Sequence, residues 1–177
     1  SAQTVTVTGV DDVTVDGTQT STVTVSIIDA SSDNDFDAVA DQTVSATTTD
    51  DDVAGFTVAQ SGGSTTVAET GTTDTFTIVL NAQPTSDVVV LAMSSDDTGE
   101  ATVSGSLTFT NTNWNTPQTV TVTGVDDNLV DGSQVSTITI SIVDDISDND
   151  FDAVADQTVS ATTTDDDVAG FTVAQTD

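Results

Sequence analysis

Residues 118–127 read Gln118-Thr119-Val120-Thr121-Val122-Thr123-Gly124-Val125-Asp126-Asp127, and residues 3–12 carry the same sequence. Within the stretch, valines take one face and threonines the other. A period of two is the mark of an antiparallel strand with one face buried and one wet. Thr137-Ile138-Thr139-Ile140-Ser141-Ile142 repeats the pattern with isoleucine, and Thr75-Phe76-Thr77-Ile78 begins another such strand. Further strands are expected at 55–59, 65–69, 88–94, 101–110 and 157–164. Turn residues separate them: Ser61-Gly62-Gly63-Ser64, Asn81-Ala82-Gln83-Pro84, Asp97-Thr98-Gly99 and Asp131-Gly132. No stretch shows the 3.6-residue period of a helix.

The duplicated strand belongs to a longer repeat. Residues 3–60 align with 118–175 at an offset of 115, with 49 identities in 58 positions, and Ser32–Gln60 matches Ser147–Gln175 without a change. A period of 115 is that of a whole domain rather than a solenoid coil. The expected organisation is one complete repeat at 54–168, the C-terminal half of a preceding repeat at 1–53, and the restart of a following one at 169–177. With no initiator Met and no signal peptide, the chain reads as an interior piece of a longer polypeptide or a mature product. Seven or so strands per repeat predict an all-β fold, an immunoglobulin-like antiparallel β-sandwich in tandem. Phe109 and Trp114 are expected to cap one end of its core.

Composition excludes much. The 177 residues include no Lys, Arg, His, Cys or Tyr, and 28 Asp with 2 Glu give a net charge of −30. Nothing here neutralises phosphates, so nucleic acid is excluded as a partner. An anionic membrane repels such a surface, and no apolar run approaches the roughly 20 residues of a spanning helix. Disulfides and thiolate or imidazole metal sites are impossible, as is Ser-His, Cys-His or Lys-based catalysis. High charge with few aromatics also marks disorder. Hydrophobic residues nevertheless make up 35% of the chain, and 38 Thr and 27 Val in strict alternation favour a folded β protein. Its charge must then be balanced by a cation from solution.

The acids cluster at strand ends. They are Glu69; Asp96-Asp97 with Glu100; Asp126-Asp127 and Asp131; a loop from Asp144 to Asp156; and Asp165-Asp166-Asp167. The first half-repeat holds Asp11, Asp12, Asp16 and Asp50-Asp51-Asp52. Crowded carboxylates repel, and a hard divalent cation removes the repulsion while accepting several oxygens. Ca2+ takes 6–8 oxygen ligands in flexible geometry, whereas Mg2+ demands a strict octahedron and keeps its waters, so Ca2+ is the expected ion. Asp148-Asn149-Asp150-Phe151-Asp152 opens like an EF-hand loop, but Ala153 and Val159 stand where its Gly and Glu belong. An EF-hand is rejected and a looser site stays open. Asp74 and Asp87 read as surface charges.

Taken as a set, these motifs resemble the Calx-β domain of sodium/calcium exchangers and large bacterial surface proteins. The likeness is carried by Thr66-Val67-Ala68-Glu69, Leu107-Thr108-Phe109-Thr110 with Asn113-Trp114, Gln118–Val122, Val125-Asp126-Asp127 and Thr164–Asp167 before Ala169-Gly170-Phe171. The resemblance implies calcium at one end of the sandwich. Its ligands would be Glu69; Asp96 or Asp97; Asp126, Asp127 and Asp131; Asp165, Asp166 and Asp167; and the Leu129 carbonyl. The exchanger activity does not carry over.

The expectation that follows is a structural protein, not an enzyme. Tandem repeats stiffened by calcium would form an extracellular stalk or filament of a bacterial surface or adhesion protein, with neighbouring repeats or identical chains as partners. Two alternatives remain: a non-covalent filament assembled by strand exchange, and a regulatory calcium-sensing module. A glycosidase could run on two carboxylates, but sugar-stacking aromatics are missing. The Thr-x-Thr strands suggest an ice-binding face, yet ordinary alternation explains them. No Asn-x-Ser/Thr acceptor for N-linked glycans occurs.

Overall fold

The computed structural model describes residues 1–86 and 88–175. Asp87, expected to be a surface charge, and the last two residues of the expected 169–177 restart lie outside the described residues. The chain divides into two compact units, Ser1–Asp52 and Val53–Asp177.

In the first unit, β1 (Gln19–Val25) and β2 (Gln42–Thr48) form a two-stranded antiparallel sheet. In the second, β3 (Phe56–Gln60), β4 (Thr65–Ala68), β5 (Thr73–Leu80), β6 (Val89–Ser95), β7 (Ala101–Val103), β8 (Ser106–Phe109), β9 (Gln118–Gly124), β10 (Gln134–Ile142) and β11 (Gln157–Thr164) make two sheets. One has five strands in the order β4-β11-β10-β6-β8, the other four in the order β3-β5-β9-β7. The only helical elements among the described residues are short 3-10 turns.

Alternation aims one face of each sheet inward. Phe76, Ile78, Val120 and Val122 from the four-stranded sheet meet Leu91, Ile138, Ile140 and Val159 from the five-stranded sheet in a single core. The fold is therefore an all-β sandwich. Phe109 is buried in this core and Trp114 packs against it, half-buried.

Two expectations are corrected. The run 101–110 is not one strand. It breaks at Ser104-Gly105, so that β7 pairs with β9 in one sheet and β8 with β6 in the other. Ser104 holds the corner: its amide donates to the Thr121 carbonyl, and its hydroxyl accepts from the Thr121 amide. The sandwich is also not wholly antiparallel, because β4 runs parallel to β11, Thr65 to Ala68 beside Ala161 to Thr164. The chain reaches that position by leaving β3 through Gly62 and Gly63, both at positive φ (64° and 85°), and crossing to the opposite sheet.

Identical sequence gives different structure in the two units. β1–β2 keeps the register of β10–β11, Gln19 opposite Thr48 as Gln134 is opposite Thr163. Gln3–Gly9, however, is not a strand, although its sequence is that of β9. Within Ser1–Asp52 there is no counterpart of β5 or β7 to accept its hydrogen bonds. Residues 169–175 match 54–60, which contain β3, and form no strand either. Strand formation here is decided by the partner, not by propensity.

Candidate metal centre

Five strand ends converge at one end of the sandwich: the last residues of β4, β9 and β11, and the first of β7 and β10. The β4–β11 ladder continues one step, with the Glu69 amide donating to the Thr164 carbonyl at 3.1 Å. Glu69 then points inward and is 1% exposed. On the opposite side, the Glu100 carbonyl accepts from the Val125 amide at 2.8 Å and from the Thr163 hydroxyl at 3.1 Å. Those bonds fix Glu100 at the start of β7, where its side chain is also buried.

The acidic loops are set by local Asx turns. Asp165 accepts from its neighbour Asp167 at 2.7 Å and from the Gly132 amide at 2.8 Å, tying the closing acidic run to the Asp131-Gly132 turn. Asp127 accepts from the Leu129 amide.

Two groups of carboxylates result. Oxygens of Glu69, Asp165 and Asp167 lie within 4.8 Å of one another, and so do oxygens of Glu69, Glu100 and Asp131. Glu69 belongs to both. Glu69 Oε1, Glu100 Oε2 and Asp167 Oδ2 are buried without a hydrogen-bond partner among the described residues. A buried, unpaired carboxylate oxygen is costly, and no basic side chain exists in the chain to pair with it.

The electrostatics record the strain. Burial pushes the Glu69 carboxyl up, against the opposing hydrogen bond from the Asp166 amide, and the charges of Asp165, Asp127 and Glu100 add to the rise. Burial, then Asp131, Asp127, Asp97 and Asp165, pushes Glu100 up. Burial and the neighbouring acids, Asp165 first, do the same to Asp167. Asp165 is held below the ordinary carboxylate range by the amides of Gly132 and Asp167. An all-oxygen donor set with orphaned buried oxygens fits a hard divalent cation.

The structure thus brings together Glu69, Asp131, Asp165 and Asp167 of the expected ligands. Asp126 and Asp127 flank them: both raise Asp167, and Asp127 raises Glu69 and Glu100. Asp166 is exposed, and its amide faces Glu69 Oε2 at 3.5 Å. The Leu129 side chain is exposed. Asp96 and Asp97 join neither group. Asp96 caps the Thr137 amide at 2.7 Å, and Asp97 caps Gly99 at 3.0 Å.

Sequence reasoning did not single out Glu100 as a member of this cluster. A signal was available: the chain has 28 Asp and only 2 Glu, and both Glu are buried at this site. Where a carboxylate must reach inward from a strand end, the extra methylene matters.

The other acidic loops differ. Both oxygens of Asp148 are taken by this chain's own donors, the amides of Ser86 and Asp150 and the Thr85 hydroxyl. Burial alone would raise its carboxyl, but these bonds outweigh it and hold Asp148 low. Asp148 is a cap for a 3-10 turn and joins neither group of carboxylates. Asp74 is also more than a surface charge: it accepts from the Thr66 amide at 2.9 Å, linking β5 to β4.

In Ser1–Asp52 the acids Asp11, Asp12, Asp16, Asp50, Asp51 and Asp52 line one depression. Asp50 accepts from Gly17 at 2.7 Å and from Asp52 at 2.8 Å, repeating the bonds of Asp165. These bonds lower Asp50, while burial and then Asp50, Asp51, Asp11 and Asp12 raise Asp52. This unit has no Glu.

Among solved structures, the chain is similar to an apo-form Calx CBD1 domain, with a TM-score of 0.44 and 15% identity over 63% of this chain and 98% of that one. It is also similar to domains 1–6 of the surface layer protein SbsC, with a TM-score of 0.40 and 23% identity over 75% of this chain and 16% of that one. A Bacteroides ovatus GH5 xyloglucanase, in complex with a XXXG heptasaccharide, gives a TM-score of 0.41 and 15% identity over 66% of this chain and 20% of that one. The chain therefore spans a fifth or less of the last two. No protein-family model and no curated protein matches it. At these TM-scores the fold rests on the strand order and the shared core.

Proposed function

We propose that the Val53–Asp177 unit binds Ca2+ through Glu69, Glu100, Asp131, Asp165 and Asp167, with Asp126, Asp127 and Asp166 at the rim. The unit then acts as a stiff, non-catalytic spacer in a tandem-repeat protein of the extracellular bacterial cell surface. One observation carries the reading: three buried carboxylate oxygens lack partners in a chain without a single cationic side chain. Protonation or a cation can relieve them, and at neutral pH a cation does so at less cost.

Geometry supports the structural role. The site joins strand ends from both sheets, so an ion there ties the first strands of the repeat to the last. Extracellular calcium-binding modules work at dissociation constants of about 10⁻⁴–10⁻³ M. At tenfold excess of ion, one site adds about 1.4 kcal/mol. No described helix is long and apolar enough to cross a membrane.

The test is a thermal melt of the full chain in EDTA, in Ca2+ and in Mg2+. A melting temperature that climbs with calcium and hardly with magnesium supports the proposal. A melt that ignores both ions and EDTA refutes it.

A further inference from the structure

We infer that β4 is a strap whose seating is set by the charge on Glu69. It lies along β11 when a cation occupies the carboxylate cluster and swings free, as one short piece, when none does. The cation's part in this rests on the proposed calcium site; the strap itself rests on how the cluster is anchored.

The five carboxylates are not held alike. Glu100 is fixed through its carbonyl, which accepts from the Val125 amide and the Thr163 hydroxyl. Asp165 accepts from the amides of Gly132 and Asp167, so one residue pins both the closing acidic run and the turn that carries Asp131. Glu69 alone is carried by β4, an edge strand of four residues that meets its sheet only at β11. Glycines stand on both sides of this strand. Gly62 and Gly63 before it and Gly71 after it adopt positive φ, of 64°, 85° and 80°. A Cβ on any of the three would meet nothing within 4 Å, so the chain bends in open space at both ends of the strap.

Few interactions seat it. They are four residue pairs with β11, the bond from the Glu69 amide to the Thr164 carbonyl, the Asp74 carboxylate on the Thr66 amide, and the Val67 side chain in the core. Against them acts the Glu69 carboxylate. It is buried, its Oε1 has no partner, and its one donor among the described residues is the Asp166 amide at 3.5 Å. Oxygens of Asp165 and Asp167 in one group, and of Glu100 and Asp131 in the other, lie within 4.8 Å of its own. Like charges so close and so poorly solvated repel strongly. Because Glu69 belongs to both groups, moving it into water relieves both at once, and the other four acids stay where their bonds hold them. A cation that neutralises the cluster removes the reason to leave. Release bares the backbone of Ala161–Thr164 on β11, a sheet edge open to pairing.

The experiment is hydrogen exchange on the full chain at neutral pH, in EDTA and in calcium. Limited cleavage by a glutamate-specific protease gives a second reading, since Glu69 and Glu100 are the only glutamates. In EDTA, amides 66–69 should lose protection while 118–124 keep theirs, and the chain should be cut after Glu69 and not after Glu100. Calcium should restore protection and block the cut. Glu69→Gln should keep 66–69 protected in both buffers. Amides 66–69 as protected as 118–124 in EDTA, with no cut after Glu69, overturn the inference, and a calcium-dependent melt would then leave the calcium site standing. Joint loss at both segments, or cutting at both glutamates, overturns it too, because the whole unit has then opened. So does Glu69→Gln with 66–69 unprotected, because charge is then not what frees the strap. Protection by Glu69→Gln in EDTA, with calcium doing nothing to the parent chain, would refute the calcium site and leave the strap standing.

Discussion

Gly124 lies so close under Ala68 that a Cβ on it would come 2.1 Å from the Ala68 carbonyl oxygen and 2.8 Å from the carbonyl carbon. Both atoms are Ala68 backbone, at the end of β4, so neither can swing aside. The approach lets the loop after Gly124, with Asp126, Asp127 and Asp131, rise beside Glu69, which follows Ala68. Gly124→Ala is expected to destabilise the sandwich by about 3 kcal/mol and to weaken calcium binding as well. Urea midpoints with and without calcium check both effects.

Glu69→Gln removes a buried charge but keeps the shape. In EDTA its melting temperature should exceed that of the parent chain by a few degrees, because a neutral amide needs no counter-charge there. Its response to calcium should vanish. An increase in EDTA combined with an undiminished calcium response would move the ion away from Glu69.

Glu100→Gln and Asp97→Asn separate the two neighbouring acids. Glu100 reaches the cluster and Asp97 caps Gly99 instead. Titration calorimetry should show calcium affinity falling at least about tenfold for Glu100→Gln and staying near the parent value for Asp97→Asn. The reverse order would place the ion on the outer turn.

Glu69, Glu100 and Asp167 keep protons in the folded chain that the unfolded chain has already lost. Each stabilises the fold below its ordinary value, 4.5 for Glu and 3.8 for Asp, and this stability is lost as pH rises through the raised value. Asp148 and Asp165 act oppositely, stabilising above 3.8 and failing as pH drops through their lowered values. Without metal, the melting temperature of the second unit should therefore fall from about pH 4.5 toward neutrality, and fall again in strong acid. Saturating calcium should reverse the decline toward neutrality, because bound metal competes with protons for the same oxygens. Melts across pH 3–8 in EDTA and in calcium test this.

Phe151→Ala should cost about 3–5 kcal/mol, as expected for a core phenylalanine. Phe36→Ala, in the same octapeptide, should change stability by no more than about 0.5 kcal/mol. Equal effects at the two positions would mean that both are buried in solution.

Much of this was legible in the sequence. Alternation in 118–124 and 134–142 located two central strands, and the 115-residue offset related β1–β2 to β10–β11. The acidic turns at Asp131 and Asp165 announced the carboxylate cluster because Asx turns and carboxylate crowding are local. What escaped depends on distant partners. Glu100 is buried because Val125 and Thr163 hold its carbonyl, and neither is near it in sequence. The parallel β4–β11 pair and the sheet switch at Ser104-Gly105 are decided by which edge is free. Gln3–Gly9 shows the limit most directly, since its sequence promised a strand and only a missing neighbour withheld it.

That same segment has a consequence for folding speed. Gln3–Gly9 carries the same letters as β9, so during refolding two segments compete for the edge of β5. The correct one must also wait for β11, whose pairing with β4 spans nearly the whole repeat and closes late. The chain carries its own decoy. Its refolding from denaturant should show a slow phase that disappears when residues 1–52 are deleted.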